Sequence, residues 1–473
     1  MSTLRITSDT ISARLADICG EANVASDLAQ LACYAIGSIT PAAVVRPRSA
    51  AEVAEIVKFA VGEKLGIVAA GARTKLGIGL PPRKYDLALD MTRLNRVLAY
   101  DPGDMTLSVE PGILLADVAK LLAEHRQFIP LAAPFHDRTT VGGTIASGVD
   151  GPLRQIYGTA RDCMLGTEFV TGDGVIAKSG GRVVKNVAGY DLHKLMIGAL
   201  GTLGILTKIN FRTFPAPSNA RMFVAGFDRP SQALEMRARV AKSPLRPLTM
   251  EIVSPGAAEL LGSATAAQIS PSESPWSRTA ASQWAFAAGF AGNEKALERY
   301  ARELQRMAAD SGAVRAEIYG EAQAPGTLAL GTLRRLREFI PIALESSPAT
   351  TILKLSVLPA RMQEILDSAA HSIDRRGLRW AALARGVGVI YIALLPETGD
   401  EEDRQRVASA TDEVLQSCAS AGGEGSIPWC PAEWKASLKV WGLPRGDFEH
   451  MRALKQVFDP HGILAPGRFV VGL

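Results

Sequence analysis

Cysteine is scarce and scattered in this 473-residue chain, with five residues at positions 19, 33, 163, 418 and 430. None sits in a CxxC pair and the count is odd, which argues against a disulfide framework. The same spacing argues against an iron–sulfur cluster, which needs about four thiolates on one site. Each cysteine reads as a small buried hydrophobe. Only six histidines occur, at 125, 136, 193, 371, 450 and 461. No two stand at ligand spacing, so no metal site is expected. Neither sign of charge dominates: 52 Lys and Arg face 48 Asp and Glu, a formal +4. That balance is too even for a nucleic-acid footprint, and no run of like charge forms a tail. No apolar run approaches the roughly 18–20 residues of a membrane span. The first ten residues, MSTLRITSDT, lack a basic segment followed by an apolar one, so no signal peptide is expected. The expected setting is the cytoplasm, in soluble form or peripheral to the inner membrane through partners.

What is present is apolar mass and glycine. Hydrophobic residues make up 47% of the chain, enough for sizeable cores, and the length suits two or three domains. Fourteen of the 44 glycines fall within residues 139–206. They alternate with Val, Ile, Leu and Phe, which a flexible linker would not do. Glycine serves where a backbone turns with positive φ or closes on a ligand. The stretch therefore predicts a side-chain-poor surface for a large, flat, phosphate-bearing cofactor.

In chain order, residues 8–36 show helical spacing (Ile11, Leu15, Ile18, Leu28, Leu31). Residues 42–47 read as a short strand. Ser49 with Glu52 forms a capping box for a helix over 50–64, and residues 67–70 make the next strand of a β-α-β unit. That strand runs into Gly71-Ala-Arg-Thr-Lys-Leu-Gly-Ile-Gly79, where backbone N–H groups and two cations follow a strand end. Such nests bind phosphate. The loop fits neither the P-loop nor the dinucleotide fingerprint, and an ordinary turn is the competing reading. Short strands are expected at 87–90, 96–100 and 106–110, a helix at 115–124, a strand-to-helix passage at 141–148, and a hairpin at 168–178 about Gly172-Asp-Gly174. A helix is expected at 191–197 and a strand at 204–212.

Pro215 and Pro217 mark a boundary, beyond which glycine thins. Helices are expected at 231–242, 293–311, 325–339, 359–376 and 403–421, and strands at 221–227, 248–252, 284–290, 350–357 and 387–395. This alternation predicts an α+β unit folded over the first. Residues 263–281, rich in Ser, Ala and Pro, read as a surface loop. The tail carries a helix over 448–458 and then Asp459-Pro-His-Gly-Ile-Leu-Ala-Pro-Gly-Arg468-Phe, a stiff return of the chain. The expected division is 1–215 for the cofactor domain, 216–445 for a cap, and 446–473 for a tail returning to the first domain.

Four motifs together resemble the FAD-linked oxidase family, with a vanillyl-alcohol-oxidase or PCMH-type flavin domain. They are residues 71–79; residues 140–148 with Tyr157-Gly-Thr-Ala-Arg161-Asp162; Lys185-Asn-Val-Ala-Gly-Tyr-Asp-Leu-His-Lys-Leu with Gly201-Thr-Leu-Gly204; and Val440-Trp-Gly with Leu454-Lys-Gln-Val-Phe-Asp-Pro and Pro466-Gly-Arg-Phe. Within the family the pattern is most similar to the FAD-binding (E) subunits of bacterial glycolate oxidase. The resemblance implies a PCMH-type FAD-binding domain of two α+β subdomains and a C-terminal α+β cap. It implies that Gly71, Ala72, Arg73, Thr74, Lys75 and Leu76 hold the FAD pyrophosphate, with Ala70 also at the cofactor. It places Thr140, Gly142, Gly143, Ala146, Ser147 and Gly148 along the ribityl chain and ring, with Pro134, Arg161, Asp162 and Ile205 completing the site.

Many such proteins anchor FAD through a histidine in the first loop. Residues 71–75 contain none, so a non-covalent flavin is expected. Relatives with a complete 2-hydroxyacid site carry a His-rich metal motif and a Glu-His pair, whereas residues 423–430 read Gly-Glu-Gly-Ser-Ile-Pro-Trp-Cys. The resemblance thus implies a flavin subunit of a glycolate-type dehydrogenase, taking a small 2-hydroxy acid and passing electrons to flavin and iron–sulfur partner subunits. A stand-alone FAD-dependent 2-hydroxyacid (D-lactate-like) or alcohol dehydrogenase is the alternative, and a non-catalytic scaffold subunit is a third.

Oxidising a 2-hydroxy acid needs a cation for the carboxylate, a base for the hydroxyl proton and a hydride acceptor. Lys354 and Arg385 are the candidate cations; each also reads as an outward charge on a strand. Tyr190 could face the flavin edge or sit in a core. His193 and His461 read as packing and turn residues, and Lys185-Asn186 as loop scaffolding or site. No residue stands out as the base.

Overall fold

The computed structural model describes residues 8–182, 189–263, 276, 283–320 and 331–473. Three sheets organise it, with an additional two-stranded pair. The first sheet has four strands in the order Val24–Ala25, Ala43–Val45, Leu87–Asp90, Ile67–Ala70. Its last three strands run parallel, joined by the helix Ala50–Gly62. Ser49 caps that helix by accepting from the Glu52 N–H at 3.1 Å, while the Glu52 carboxylate accepts from the Arg48 N–H. Parallel strands need such a crossover and are buried on both faces; accordingly all eleven residues of the three strands are buried except Ala69.

The helical pattern of residues 8–36 resolves into two short helices, Ser8–Cys19 and Leu28–Ala32. Gly20, at φ +89°, stops the first, and the strand Val24–Ala25 intervenes. The second sheet is antiparallel, in the order Val97–Asp101, Thr106–Val109, Ile205–Arg212, Met164–Val170, Ile176–Gly180. Its last pair is the expected hairpin, in register from Gly166 opposite Gly180 to Val170 opposite Ile176. Between the two sheets lies the short helix Val141–Ser147, which Thr140 caps by accepting from the Gly143 N–H at 3.2 Å. Residues 191–197 form only a single 3-10 turn, Leu192–Leu195, before Gly198 reverses the chain at φ +79°.

The third sheet has eight antiparallel strands: Arg315–Gly320, Ala220–Phe227, Trp284–Ala291, Thr249–Val253, Arg379–Arg385, Val389–Leu395, Thr351–Ser356 and Glu424–Trp429. The first, fifth and last lie outside the expected strands. Residues 315–320 are half-buried and mixed in polarity, residues 379–385 carry only weak alternation, and residues 424–429 contain Gly and Pro. Helices Pro230–Lys242, Glu294–Asp310, Met362–Asp374 and Glu401–Ser420 provide core residues on one face, against Phe223, Ile252, Leu353, Leu355, Ile390 and Ile392. The alternate residues Met222, Val253, Ile352, Val389, Ala393 and Trp429 face the other way, toward Ile78, Val149 and Leu153 of the first half. Period-two geometry therefore aims Glu251, Lys354, Arg385 and Tyr391 toward the glycine-rich stretch.

Of the predicted 325–339 helix, residues 331–337 form the helix Gly331–Arg337, Glu338 is a turn and Phe339 opens the next helix, Phe339–Ser346; residues 325–330 lie outside the described residues. So does most of the loop at 263–281, apart from Ser263 and Trp276. The tail helix Phe448–Phe458 has the expected bounds. Beyond it the chain lies alongside strand Ile67–Ala70: the Ile67 N–H donates to the Ile463 carbonyl at 2.8 Å and the Ala465 N–H to the Ile67 carbonyl at 2.7 Å. Among the described residues no helix is long and apolar enough to cross a membrane.

Candidate functional site

Two clefts of about 500 and 480 Å³ run together between the first and second sheets, sharing Ala69, Ala70, Gly71, Thr140, Gly143, Ala146 and Leu200. One end is apolar, walled by Met91, Pro111, Met196, Ile205 and Leu206. The other is lined by Ala72, Arg73, Thr74, Lys75, Leu76, Ser147 and Arg468. Ser147 then borders a third space of about 530 Å³, whose walls include Lys354, Tyr391, Ser426, Trp429 and Trp441. A continuous surface therefore leads from an apolar slot, past a cationic loop, to a chamber under the eight-stranded sheet.

The backbone approaches closely where glycine occurs. A Cβ at Gly71 would lie 2.2 Å from Thr140 Oγ1, and one at Gly142 would lie 2.5 Å from Pro111 Cβ. Loop 71–79 also holds Arg73 at φ +64°, an uncommon conformation for a residue with a side chain. Tyr34 holds it there: Arg73 donates to the Tyr34 hydroxyl at 3.0 Å and stacks 4.7 Å over its ring.

Three buried cations converge on this loop. Lys75 is 8% exposed, and its ammonium donates to Thr139 Oγ1 at 2.5 Å. Burial pushes its pKa down to about 7, against a weaker upward pull from Glu338. Arg468 comes from the tail and donates to the carbonyls of Leu76 and Ile78, both at 2.5 Å, while its Nε has no partner. Burial lowers its pKa to about 10. Lys435 donates to the carbonyls of Gly77 and, at 2.6 Å, Gly79; burial lowers it to about 8. Among the described residues none of the three has a carboxylate partner. A buried cation without a counter-charge is costly, and a diphosphate entering the cleft would neutralise this excess. The donor set, the close-approach glycines and the apolar slot together fit a dinucleotide such as FAD.

The chamber has its own electrostatics. The Lys354 ammonium forms no hydrogen bond or ion pair among the described residues. Tyr391 raises its pKa, burial opposes, and Asp150 adds to the rise, so the ammonium stays charged. Asp150 is buried, and its tendency to take up a proton there is overcome by Lys354, Arg385 and Arg154, which hold it ionised. Burial together with Asp150 raises the Tyr391 pKa, keeping the phenol neutral.

The sequence-derived candidates divide. Ala70 through Leu76, Thr140, Gly142, Gly143, Ala146, Ser147 and Ile205 line the clefts. Gly148 lies just behind, at φ +62° against Gly198. Pro134 is buried outside the lining. Arg161 and Asp162 are exposed, and Asp162 is engaged in capping, accepting from the Thr159 N–H at 2.7 Å. Lys354 lines the chamber. Arg385 lies behind it, bonded to Glu251 at 3.1 Å and 3.5 Å from Asp150, so two carboxylates already occupy its charge. Tyr190 is 89% exposed and outside the chamber. His193 is buried against Ser179, with 3.2 Å between Nδ1 and the hydroxyl. Lys185 and Asn186 lie outside the described residues. Tyr391, Asp150, Ser426 and Lys435 were not candidates. A signal existed for Tyr391, the one polar side chain in Val-Ile-Tyr-Ile-Ala-Leu-Leu; Asp150 reads as part of a turn.

The fold sets a long, partly cationic cleft between two sheets, beside an eight-stranded antiparallel sheet. The chain is similar to the solved p-cresol methylhydroxylase with substrate bound (TM-score 0.77, 18% identity, 97% of this chain and 96% of that one), which bears on the fold. The model of the FAD binding domain matches residues 41–180, and that of the FAD linked oxidases, C-terminal domain, matches 216–427 and 443–469. The chain belongs to the FAD-linked oxidase family: it is an FAD-dependent oxidoreductase of α+β fold. It is 25% identical to "Glycolate oxidase subunit GlcD" of Bacillus subtilis over 90% of this chain and 88% of that protein. It is 36% identical to "Glycolate oxidase subunit GlcE" of Escherichia coli over 34% of this chain and 46% of that protein.

Proposed function

We propose that the protein is the FAD-carrying subunit of a glycolate-type dehydrogenase that oxidises a small 2-hydroxy acid and passes electrons to partner subunits. One observation carries the substrate class: Lys354, a charged ammonium without a hydrogen-bond or ion-pair partner among the described residues, faces a chamber that adjoins the cofactor cleft. An anion is the complement of such a group. The named relatives that are subunits of glycolate oxidases support both the hydroxy acid and the multi-subunit setting. Residues 1–215 would act as the cofactor domain, 216–445 as the cap and 446–473 as the returning tail, in a cytoplasmic protein attached to its partners.

In this reading Lys75 and Arg468 hold the diphosphate, and Met91, Pro111 and Ile205 enclose the adenine end. Lys354 binds the carboxylate, while Trp429 and Trp441 exclude water beside it. FAD supplies the hydride acceptor when bound. Among the described residues the cleft linings contain no His or Cys, in keeping with non-covalent attachment; acid precipitation should leave the flavin in the supernatant, and flavin in the pellet would refute it.

The test is anaerobic mixing of the purified, FAD-loaded chain with glycolate or D-lactate, followed by absorbance. Reduction of the flavin is expected. Lys354→Met should lower kcat/KM on the order of 100-fold with flavin content unchanged. If neither acid reduces the flavin, the reading fails. Brisk turnover of a dye by the chain alone would favour a stand-alone dehydrogenase over a subunit. A colourless preparation that stays free of flavin after FAD is added would mean a scaffold.

A further inference from the structure

The chamber carries a second recognition group beside Lys354. Tyr391 stands directly opposite Lys354 on the neighbouring strand, and Ser426 stands opposite Lys354 on the other side. Directly paired residues share a face of the sheet, so the three form a row across the chamber wall. Tyr391 is 1% exposed. Its hydroxyl donates to Asp150 Oδ1 at 3.3 Å.

Asp150 reaches this row from the first half of the chain, two residues after the glycine that ends helix Val141–Ser147. Arg154 donates to its Oδ2, and Arg385 Nε lies 3.5 Å from its Oδ1. Glu251, on the far side of Arg385, completes the buried cluster. Surrounded by these cations, Asp150 remains a carboxylate, which can only accept hydrogen bonds. A neutral phenol has one proton, and Tyr391 places it on Asp150. The Tyr391 oxygen therefore has only lone pairs to offer the chamber. The wall presents a donor, Lys354, beside an obligate acceptor, Tyr391.

A 2-hydroxy acid matches that order: its carboxylate accepts and its C2 hydroxyl donates. The 2-oxo acid formed on oxidation has no proton to donate, and its carbonyl oxygen would face another oxygen. We propose that Tyr391, held as an acceptor by Asp150, is the specificity-determining residue for the C2 hydroxyl and makes the chamber prefer the 2-hydroxy acid over its own 2-oxo product. Oxidation then removes the group that Tyr391 recognises and favours release. This inference rests on the substrate class proposed above.

The experiment uses full-length, FAD-loaded protein and whichever of glycolate and D-lactate reduces the flavin. Stopped-flow reduction yields the dissociation constant of the hydroxy acid. Inhibition of the same reaction yields those of the matching deoxy acid, acetate for glycolate or propionate for D-lactate, and of the matching oxo acid, glyoxylate or pyruvate. Tyr391→Phe should weaken the hydroxy acid by about tenfold or more and leave the deoxy and oxo acids unchanged, so that the preference collapses. Lys354→Met should weaken all three. Asp150→Asn, which no longer compels the phenol to donate, should shift the preference toward the oxo acid and provides a second variant if Tyr391→Phe loses flavin. Equal losses for all three ligands in Tyr391→Phe, or an unchanged preference, would overturn the assignment while the substrate class stands. A wild-type flavin that neither hydroxy acid reduces would overturn both.

Discussion

At the residue scale, Lys75 makes the site sensitive to pH. Its pKa near 7 in the folded chain lies below the usual lysine value of about 10.4. Above pH 7 the folded protein has released a proton that the unfolded chain retains, so this group makes the FAD-free protein more stable as pH rises toward 10. A bound diphosphate reverses the preference by favouring the charged ammonium. FAD binding should therefore take up protons above about pH 7, and affinity should fall as pH rises to about 9. Calorimetric titration in two buffers of different ionisation enthalpy measures the uptake, and Lys75→Met should reduce it. Lys435 adds to the effect with the same sign, because burial lowers it too, to about 8. Legibility at this scale was uneven. Lys75 and Lys354, which line the cleft and the chamber, stood out because a cation beside glycines, or inside an apolar strand, is conspicuous. Arg385 was equally conspicuous, but Glu251 and Asp150 reach it from distant parts of the chain and pair with it. Tyr391 was not singled out, since a buried tyrosine and a chamber tyrosine look alike in a strand until the residues facing it are known.

At the element scale, the helix Val141–Ser147 and loop 71–79 define the cleft by mutual contact. Gly71→Ala would push its Cβ into Thr140, and Gly142→Ala into Pro111. Each should cost about 1–3 kcal/mol from overpacking and lower FAD occupancy, read as the flavin-to-protein absorbance ratio. Thr140→Ala should cost about 1 kcal/mol through the lost cap and relieve the contact in Gly71→Ala, so the double variant should be less destabilised than the sum of the single ones in thermal melts. The elements most legible in the sequence were those with strong caps or long periodicity, such as the helices Ala50–Gly62 and Phe448–Phe458. The strand Glu424–Trp429 was hidden by its Gly and Pro; it is an edge strand with a register shift opposite Ile352 and Lys354, where such residues are tolerated.

At the scale of the whole molecule, the tail joins the two halves. Leu464 is 1% exposed and pairs with Ile67. Asp459 accepts from the N–H groups of Ile463 and Leu464 and is bonded by Lys455 at 2.5 Å. Lys435 and Arg468 then grip the carbonyls of loop 76–79. Leu464→Ala should destabilise the protein by about 2–5 kcal/mol, seen as a lower thermal transition in calorimetry. Added FAD should raise that transition, since ligand binding stabilises the state that binds it. Arg468→Met should weaken FAD binding more than it lowers the melting temperature of the FAD-free protein, because it removes a buried cation that has no counter-charge.

The sequence by itself determined the family, the cofactor and most of the cleft lining. Close backbone approach demands glycine, and those glycines are written into contiguous segments. The tertiary structure decided which charges are free. A cation's role depends on whether a carboxylate reaches it, and the carboxylates near Arg385 lie 134 and 235 residues away along the chain. Only folding could bring Asp150 to Tyr391 and leave the Lys354 ammonium without a partner among the described residues, because that arrangement follows from the alternation of side chains across an eight-stranded sheet laid over the glycine-rich stretch.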